Sequence, residues 1–145
     1  MRADITVHGK SAFGARPWLG INAIDKANVL TDRIHQLGDK IWEKKHPMLN
    51  PPTILVAMIE GGQATNIVPD YCKVTVTRRL LPGETKEECI KDYQDIIDQL
   101  KKEDPEFDAT LNIWKGFRPP AEVSKDTVVC QAVAKAHKLI RGEDL

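Results

Sequence analysis

The stretch that decides the fold is residues 53–79, TILVAMIEGGQATNIVPDYCKVTVTRR. In its second half, Cys72, Val74 and Val76 alternate with polar residues, which predicts a strand with one buried and one polar face. Its first half is a short apolar run with β-branched members, which predicts a strand covered on both faces. Because a Gly-Gly pair separates the two halves, the stretch predicts two consecutive strands joined by a loop.

Regular elements are also predicted on both sides of this stretch. Residues 4–7 alternate as a first strand, and residues 9–20 have the glycine-rich composition of an irregular loop. Asn22 is positioned to cap a long helix with one apolar stripe, and Thr85 with Glu88 forms a capping box for a second. Alternation over residues 107–113 indicates a last strand. This order predicts an α+β fold, a ferredoxin-like βαββαβ sandwich whose four-stranded antiparallel sheet carries two helices on one face, plus a C-terminal extra helix.

The composition excludes several classes of function. Lys and Arg number 21 and Asp and Glu also number 21 among 145 residues, so no nucleic acid or anionic membrane partner is indicated. The three cysteines, Cys72, Cys89 and Cys130, are far apart, which disfavours both a disulfide framework and a metal-binding pair. No apolar run approaches the roughly 18 residues needed to span a bilayer. We therefore expect a cytoplasmic protein.

Few residues have a pattern that indicates chemistry. The four histidines lie in unrelated settings without metal-ligand spacing, so no metal site is predicted within the chain. By strand parity, Arg79 lies on the polar face with Lys73 and Thr75, whereas Arg78 lies on the apolar face. If helices cover the apolar face, Arg79 projects from the open one. A guanidinium there could bind a carboxylate with two parallel hydrogen bonds, although a solvated surface charge is the ordinary interpretation.

Three motifs in sequence order resemble the dimerisation (lid) domain of the zinc-dependent superfamily of aminoacylases, carboxypeptidase G, acetylornithine deacetylase and succinyl-diaminopimelate desuccinylase. The family stretch G-x-x-A-H-x-x-x-P-x-x-G-x-N-A-I is matched at Gly9, Ala12, Pro17, Gly20, Asn22, Ala23 and Ile24. The stretch G-G-x-x-x-N-x-x-P is matched at Gly61, Gly62, Asn66 and Pro69. The segment R-x-x-P-G-E is matched at Arg79, Pro82, Gly83 and Glu84.

The resemblance implies a dimerisation and substrate-gripping domain of an amidohydrolase or metallopeptidase that acts on N-acyl amino acids or small peptides. It implies that Asn66 and Arg79 contact the substrate and that zinc, one or two ions, is held by a catalytic domain outside this chain. The family histidine, which reaches across the dimer to the scissile carbonyl, is replaced by Phe13, a side chain with no hydrogen-bond donor. Either the parent protein obtains this donor elsewhere, or its activity is altered or lost. Because the zinc ligands are expected outside the chain, we expect no catalytic residue within it and no activity of the chain by itself.

The resemblance also implies a division of the chain. Residues 1–117 are expected to form the dimerisation domain, and residues 118–145 a linker and the start of a helix that returns to the catalytic domain. The expected partners are a second copy, bound through a sheet edge and a helix, the catalytic domain, and a small-molecule substrate. A stand-alone ferredoxin-like module that dimerises and binds a ligand or regulates another protein is the alternative.

Overall fold

The structure, a computed structural model, describes residues 1–144. Its elements follow the order β1 (Arg2–His8), β2 (Ala12–Phe13), a 3₁₀ turn (Pro17–Leu19), α1 (Ala23–Trp42), β3 (Thr53–Gly61), β4 (Ile67–Val68), β5 (Tyr71–Arg79), α2 (Lys86–Glu103), β6 (Asp108–Ile113) and α3 (Val128–Arg141). None of the helices within the described residues is both long enough and apolar enough to cross a membrane.

The main sheet has four antiparallel strands in the order β3-β5-β1-β6, and α1 and α2 cover one of its faces. The predicted α+β sandwich is thus confirmed, since β1, α1, β3, β5, α2 and β6 supply the βαββαβ order. The core lies between the helices and the sheet, where each fully buried aliphatic or aromatic side chain contributes about 1.5–3 kcal/mol. Its members include Ile5, Val7, Leu30, Ile34, Val74, Val76, Tyr93, Ile97 and Phe107.

Both predicted helix starts are confirmed. The Asn22 side chain accepts hydrogen bonds from the backbone N–H groups of Ile24 (3.0 Å) and Asp25 (3.4 Å). The hydroxyl of Thr85 accepts from the Glu88 N–H, and the Glu88 carboxylate accepts from the Thr85 N–H, which completes the capping box. These bonds satisfy donors that the first helical turn leaves without partners.

The expectation that residues 53–60 form a strand covered on both faces is wrong. Strand β3 lies at an edge of the sheet, and most of its side chains are exposed. Ile54 and Val56 pack against the core, whereas Leu55 and Met58 lie on the open face of the sheet, which we define as the face opposite the helices. A bulge between Val56 and Met58 shifts the register. An unbroken apolar run cannot distinguish a doubly covered strand from an edge strand that lacks its partner.

The expectation of a wholly irregular loop over residues 9–20 also needs correction. Ala12–Phe13 pairs with Ile67–Val68 as a separate two-stranded ribbon, and a 3₁₀ turn follows. Strands of two residues have no periodicity, and their pairing joins segments that are distant in sequence. The pattern of the sequence therefore could not indicate them.

The predicted C-terminal extra helix is present as α3, and its exposed residues include much of its apolar surface. Val129, Val133 and Ile140 are each more than half exposed. The segment before it contacts the loop after α1 through the pair of His46 and Glu122, at 3.5 Å. The helix lies outside the sandwich core.

Candidate functional site

The two-stranded ribbon forms a tip at one end of the sheet, where Phe13 and Asn66 lie side by side. Phe13 pairs with Ile67, and the next residue, Gly14, donates its N–H to the Asn66 carbonyl at 2.7 Å. A side chain on Gly9 would come within 2.2 Å of the Ile21 carbonyl oxygen, so the base of the tip tolerates only glycine there. The backbone is therefore packed tightly where the tip joins the sheet.

The side chains at the tip are exposed. Phe13 is 61% exposed, and Trp18 and Leu19 add further exposed apolar surface beside it. Asn66 is also exposed, so its side-chain amide is accessible to a ligand. The tip thus presents the Asn66 amide next to the exposed rings of Phe13 and Trp18.

Arg79 lies at the last position of β5, at the opposite end of the sheet from the tip. Its side chain is exposed and lines a cleft of about 380 Å³. Strand β5 begins at Tyr71, next to the tip, and ends at Arg79, eight residues further on. At about 3.3 Å per residue, Arg79 therefore lies roughly 26 Å from the tip end of β5. Asn66 and Arg79 of one chain therefore cannot contact the same small molecule.

The wall of the Arg79 cleft is built from side chains that sequence reasoning missed. The guanidinium of Arg2 stacks over the ring of Trp114, with its central carbon 3.4 Å from the ring centroid. The Asp4 carboxylate accepts hydrogen bonds from Trp114 Nε1 (2.6 Å) and Thr75 Oγ1 (2.7 Å). Burial raises the pKa of Asp4, but these two bonds and the charge of Arg2 outweigh it and hold the pKa below its ordinary value. Asp4 thus remains charged and fixes Trp114.

The residues that lie near Arg79 in the cleft could be predicted from the sequence only in part. Arg2 shares strand parity with Asp4, which places both on one face, but the pairing of Arg2 with Thr77 joins residues that are distant in sequence. Trp114 follows the last strand, and its indole reaches back across the sheet to Asp4. Only the register of the sheet brings these groups beside Arg79.

Arg78 has a different environment from its neighbour. Its side chain is 1% exposed under α2 and donates hydrogen bonds to Asp92 Oδ2 (2.6 Å) and Glu84 Oε1 (3.1 Å). Lys44 at the end of α1 contacts the same Glu84 oxygen at 2.7 Å. This cluster links both helices to β5 and has a structural role.

The histidines and buried cysteines of the described residues lie in separate parts of the fold. Within residues 1–144, no three His, Cys, Asp or Glu side chains are grouped so that they could hold a metal ion. His8 contacts the Thr110 hydroxyl at 2.8 Å on the open face, and His137 lies on α3. The buried thiols of Cys72 and Cys89 have pKa values raised by burial.

Residues 1–105 match the family described as peptidase dimerisation domain. The chain belongs to this family. Among curated proteins it is similar to an acetylornithine deacetylase from Myxococcus xanthus, with 30% identity over 119 residues, 80% of this chain and 31% of that protein. It is also similar to a putative succinyl-diaminopimelate desuccinylase from Mycobacterium tuberculosis, with 27% identity over 125 residues, 83% of this chain and 34% of that protein.

Solved structures share the fold. A tripeptidase from Staphylococcus aureus superposes with a TM-score of 0.74 at 19% identity, over 96% of this chain and 34% of that one. Aminopeptidase PepT from Bacillus cereus superposes with a TM-score of 0.66 at 21% identity, over 97% of this chain and 35% of that one. The chain thus spans about a third of the length of the relatives it matches.

Proposed function

We propose that this chain is the dimerisation and substrate-gripping domain of a zinc-dependent amidohydrolase or metallopeptidase that acts on N-acyl amino acids or small peptides. The family match and the names of the relatives support this class of reaction. The chain covers about a third of those relatives, so the catalytic domain is assigned to sequence outside it. By itself the chain is expected to be inactive.

The observation that carries the dimerisation role is the edge strand β3. It presents an unpaired backbone edge together with the exposed side chains of Leu55 (60%) and Met58 (49%). Trp42, the last residue of α1, is 56% exposed. Together with Ile54 of β3 it lines a groove of about 320 Å³. An unpaired edge strand of nine residues favours pairing with another strand, and a tryptophan that becomes buried is typical of interface centres. A second copy that pairs along β3 and packs on α1 would cover all of these groups.

The substrate-gripping role is assigned to Asn66 and Arg79. Arg79 is exposed on the open face, where its planar guanidinium can bind a substrate carboxylate with two hydrogen bonds. Asn66 offers an amide at the tip, next to Phe13. Because these residues lie at opposite ends of the sheet, we assign them to different reaction centres of a dimer, with Asn66 acting on the centre of the partner subunit.

Residues 1–117 are proposed to form the dimerisation domain, and residues 118–145 to lead back into the catalytic domain. The support is the exposed apolar surface of α3, which includes Val129, Val133 and Ile140 and has no cover from the sandwich. A helix with one apolar stripe normally buries that stripe. We propose that the catalytic domain of the same polypeptide covers it.

Zinc does not fit the residues of this chain, and its ligands are assigned to the catalytic domain. The described side chains offer no group of three donors for an ion. When bound in that domain, zinc would supply an activated water for amide hydrolysis. We also propose a cytoplasmic location for the protein, since its cysteines are free thiols.

Three measurements test this function. Sedimentation velocity of the chain over a wide concentration range should show a reversible dimer, and metal analysis should show no stoichiometric zinc. In the full-length polypeptide, hydrolysis of N-acyl amino acids should require added zinc and should be lost in Arg79→Met. A chain that stays monomeric at high concentration, or one that holds zinc and turns over substrate alone, would refute the proposal.

A further inference from the structure

A cleft at the Arg79 end of the sheet is lined by several cations and by no carboxylate. Its volume is about 380 Å³, and its lining includes Arg2, Arg79, Trp114, Lys115, Phe117 and Arg118. We propose that this cleft binds a small dicarboxylate, one carboxylate on Arg79 and the other on Arg2 and Arg118. The proposal rests on the gripping role of Arg79 and adds a second anionic group to the substrate class.

The first support is the excess of positive charge in the cleft, which the nearby Asp4 carboxylate offsets only in part. Among residues 1–144, the side chains of Arg2, Arg79, Lys115 and Arg118 take part in no ion pair, although the chain as a whole has a net charge of zero. Arg78 also borders the cleft, but its charge is neutralised beneath the sheet by Glu84 and Asp92. Like charges that share a cleft repel one another, and an anion between them relieves that repulsion.

The second support is the fixed position of Arg2. Its guanidinium lies on the Trp114 ring, and the indole is itself held by Asp4. Its Nε–H is buried and has no hydrogen-bond partner among the described residues. A buried donor without an acceptor is unfavourable, so the protein gives the Arg2 guanidinium no compensation at this atom, and the other N–H groups are not committed to a protein acceptor within residues 1–144. A guanidinium held flat on an aromatic ring is also preorganised to bind a carboxylate edge-on.

The third support is the spacing and chemistry of the walls. Arg2 pairs with Thr77, and Arg79 lies two residues further along the same face, so the two arginines are diagonal neighbours about 7–8 Å apart at their backbones. The rings of Trp114 and Phe117 border the same cleft. Cations at two positions with apolar surface beside them suit two carboxylates joined by methylene groups better than a compact tetrahedral anion.

The experiment titrates the chain with glutarate, butyrate and inorganic phosphate, and follows the indole N–H resonance of Trp114 by NMR. Glutarate should shift that resonance and bind at least about tenfold more tightly than butyrate, because only glutarate engages both positions. Arg118→Met, an exposed position, should raise the Kd for glutarate about tenfold, and Arg2→Lys should do the same because lysine keeps the charge but loses the planar fork. Arg16→Met, an exposed cation near the tip, is the matched control and should leave the Kd unchanged.

Three outcomes would overturn the proposal. If glutarate binds no more tightly than butyrate, the cleft has only one carboxylate-binding position, at Arg79. If phosphate binds as tightly as glutarate, the cleft is an unselective anion site. A Kd that is unchanged in both Arg118→Met and Arg2→Lys would remove the second position. Sedimentation of the same samples reports on the dimer independently, so loss of selective binding in a chain that still dimerises contradicts only this inference.

Discussion

Arg78 and Arg79 are consecutive residues of β5, yet one lies buried beneath α2 and the other lies exposed on the open face of the sheet. Arg78→Met should lower the free energy of unfolding by about 3–5 kcal/mol, because it leaves the shielded Glu84 carboxylate without its main buried partner. Arg79→Met should change it by less than about 0.5 kcal/mol. Urea denaturation of both variants measures the difference, and equal losses would contradict the assignment of separate roles.

Glu84 should make the stability of the chain depend on pH in the acid range. Burial raises the pKa of Glu84, but the hydrogen bonds from Lys44 and the Leu81 N–H and the charge of Arg78 outweigh it, so the pKa lies below its ordinary value of 4.5. With a lowered folded pKa, the stabilisation is complete above pH 4.5 and is lost as the pH falls through the folded value. Glu84→Gln should therefore cost about 2 kcal/mol at neutral pH and progressively less below that range.

Denaturation curves at a series of pH values test this dependence. The exposed Glu43 has no ion pair among residues 1–144, so Glu43→Gln is the matched control and should leave the pH profile unchanged. A wild-type curve that runs parallel to that of Glu84→Gln down to strongly acid pH would show that Glu84 does not titrate with folding.

Lysines on strand β3 should prevent dimerisation. Leu55→Lys combined with Met58→Lys places charges beside the edge where we propose that a second copy pairs. The dimer Kd should rise by about 30-fold or more, which corresponds to the roughly 2 kcal/mol of an interface hot spot. Asn112→Lys on β6, the opposite edge of the sheet, is the control. Sedimentation that shows the control dissociated and the double variant intact would place the interface on β6.

The order of elements, the helix caps and the two faces of β5 could be predicted from the sequence because each depends on neighbours within a few residues. Asn22 bonds to donors two and three residues away, and the alternation from Cys72 onward decides which side chains are buried. The same alternation correctly placed Arg78 under the helices and Arg79 outside.

The rest of the candidate site depends on pairing between distant segments. The sequence gives no register for β1 against β5, so the position of Arg2 opposite Thr77 could not be predicted. The edge position of β3 was missed because an apolar run has the same appearance whether its cover is supplied by its own chain or by another copy. The roles proposed for Asn66 and Arg79 come from the family resemblance, because neither residue type nor strand parity by itself indicates a substrate contact.

Phe13 offers a test of the tip. Because its ring is exposed, Phe13→His should leave the midpoint of thermal unfolding of this chain within about 2 °C of wild type. In the full-length polypeptide the new imidazole adds a donor at the family histidine position, and kcat should rise by about tenfold or more. Phe13→Leu, which adds no donor, is the control. If both variants have the wild-type kcat, the tip does not reach the reaction centre.

The length of β5 has a consequence for mixed dimers. If Asn66 serves the partner's reaction centre and Arg79 its own, inactive Asn66→Ala and inactive Arg79→Ala full-length chains should complement each other when their subunits exchange. In a mixed dimer, one centre has lost both contacts and the other centre has both. About half of randomly mixed dimers are of this kind, so random mixing should restore about a quarter of the wild-type rate. Because the length of β5 keeps Arg79 away from Asn66, each reaction centre would need one residue from each subunit, and a single subunit would be inactive.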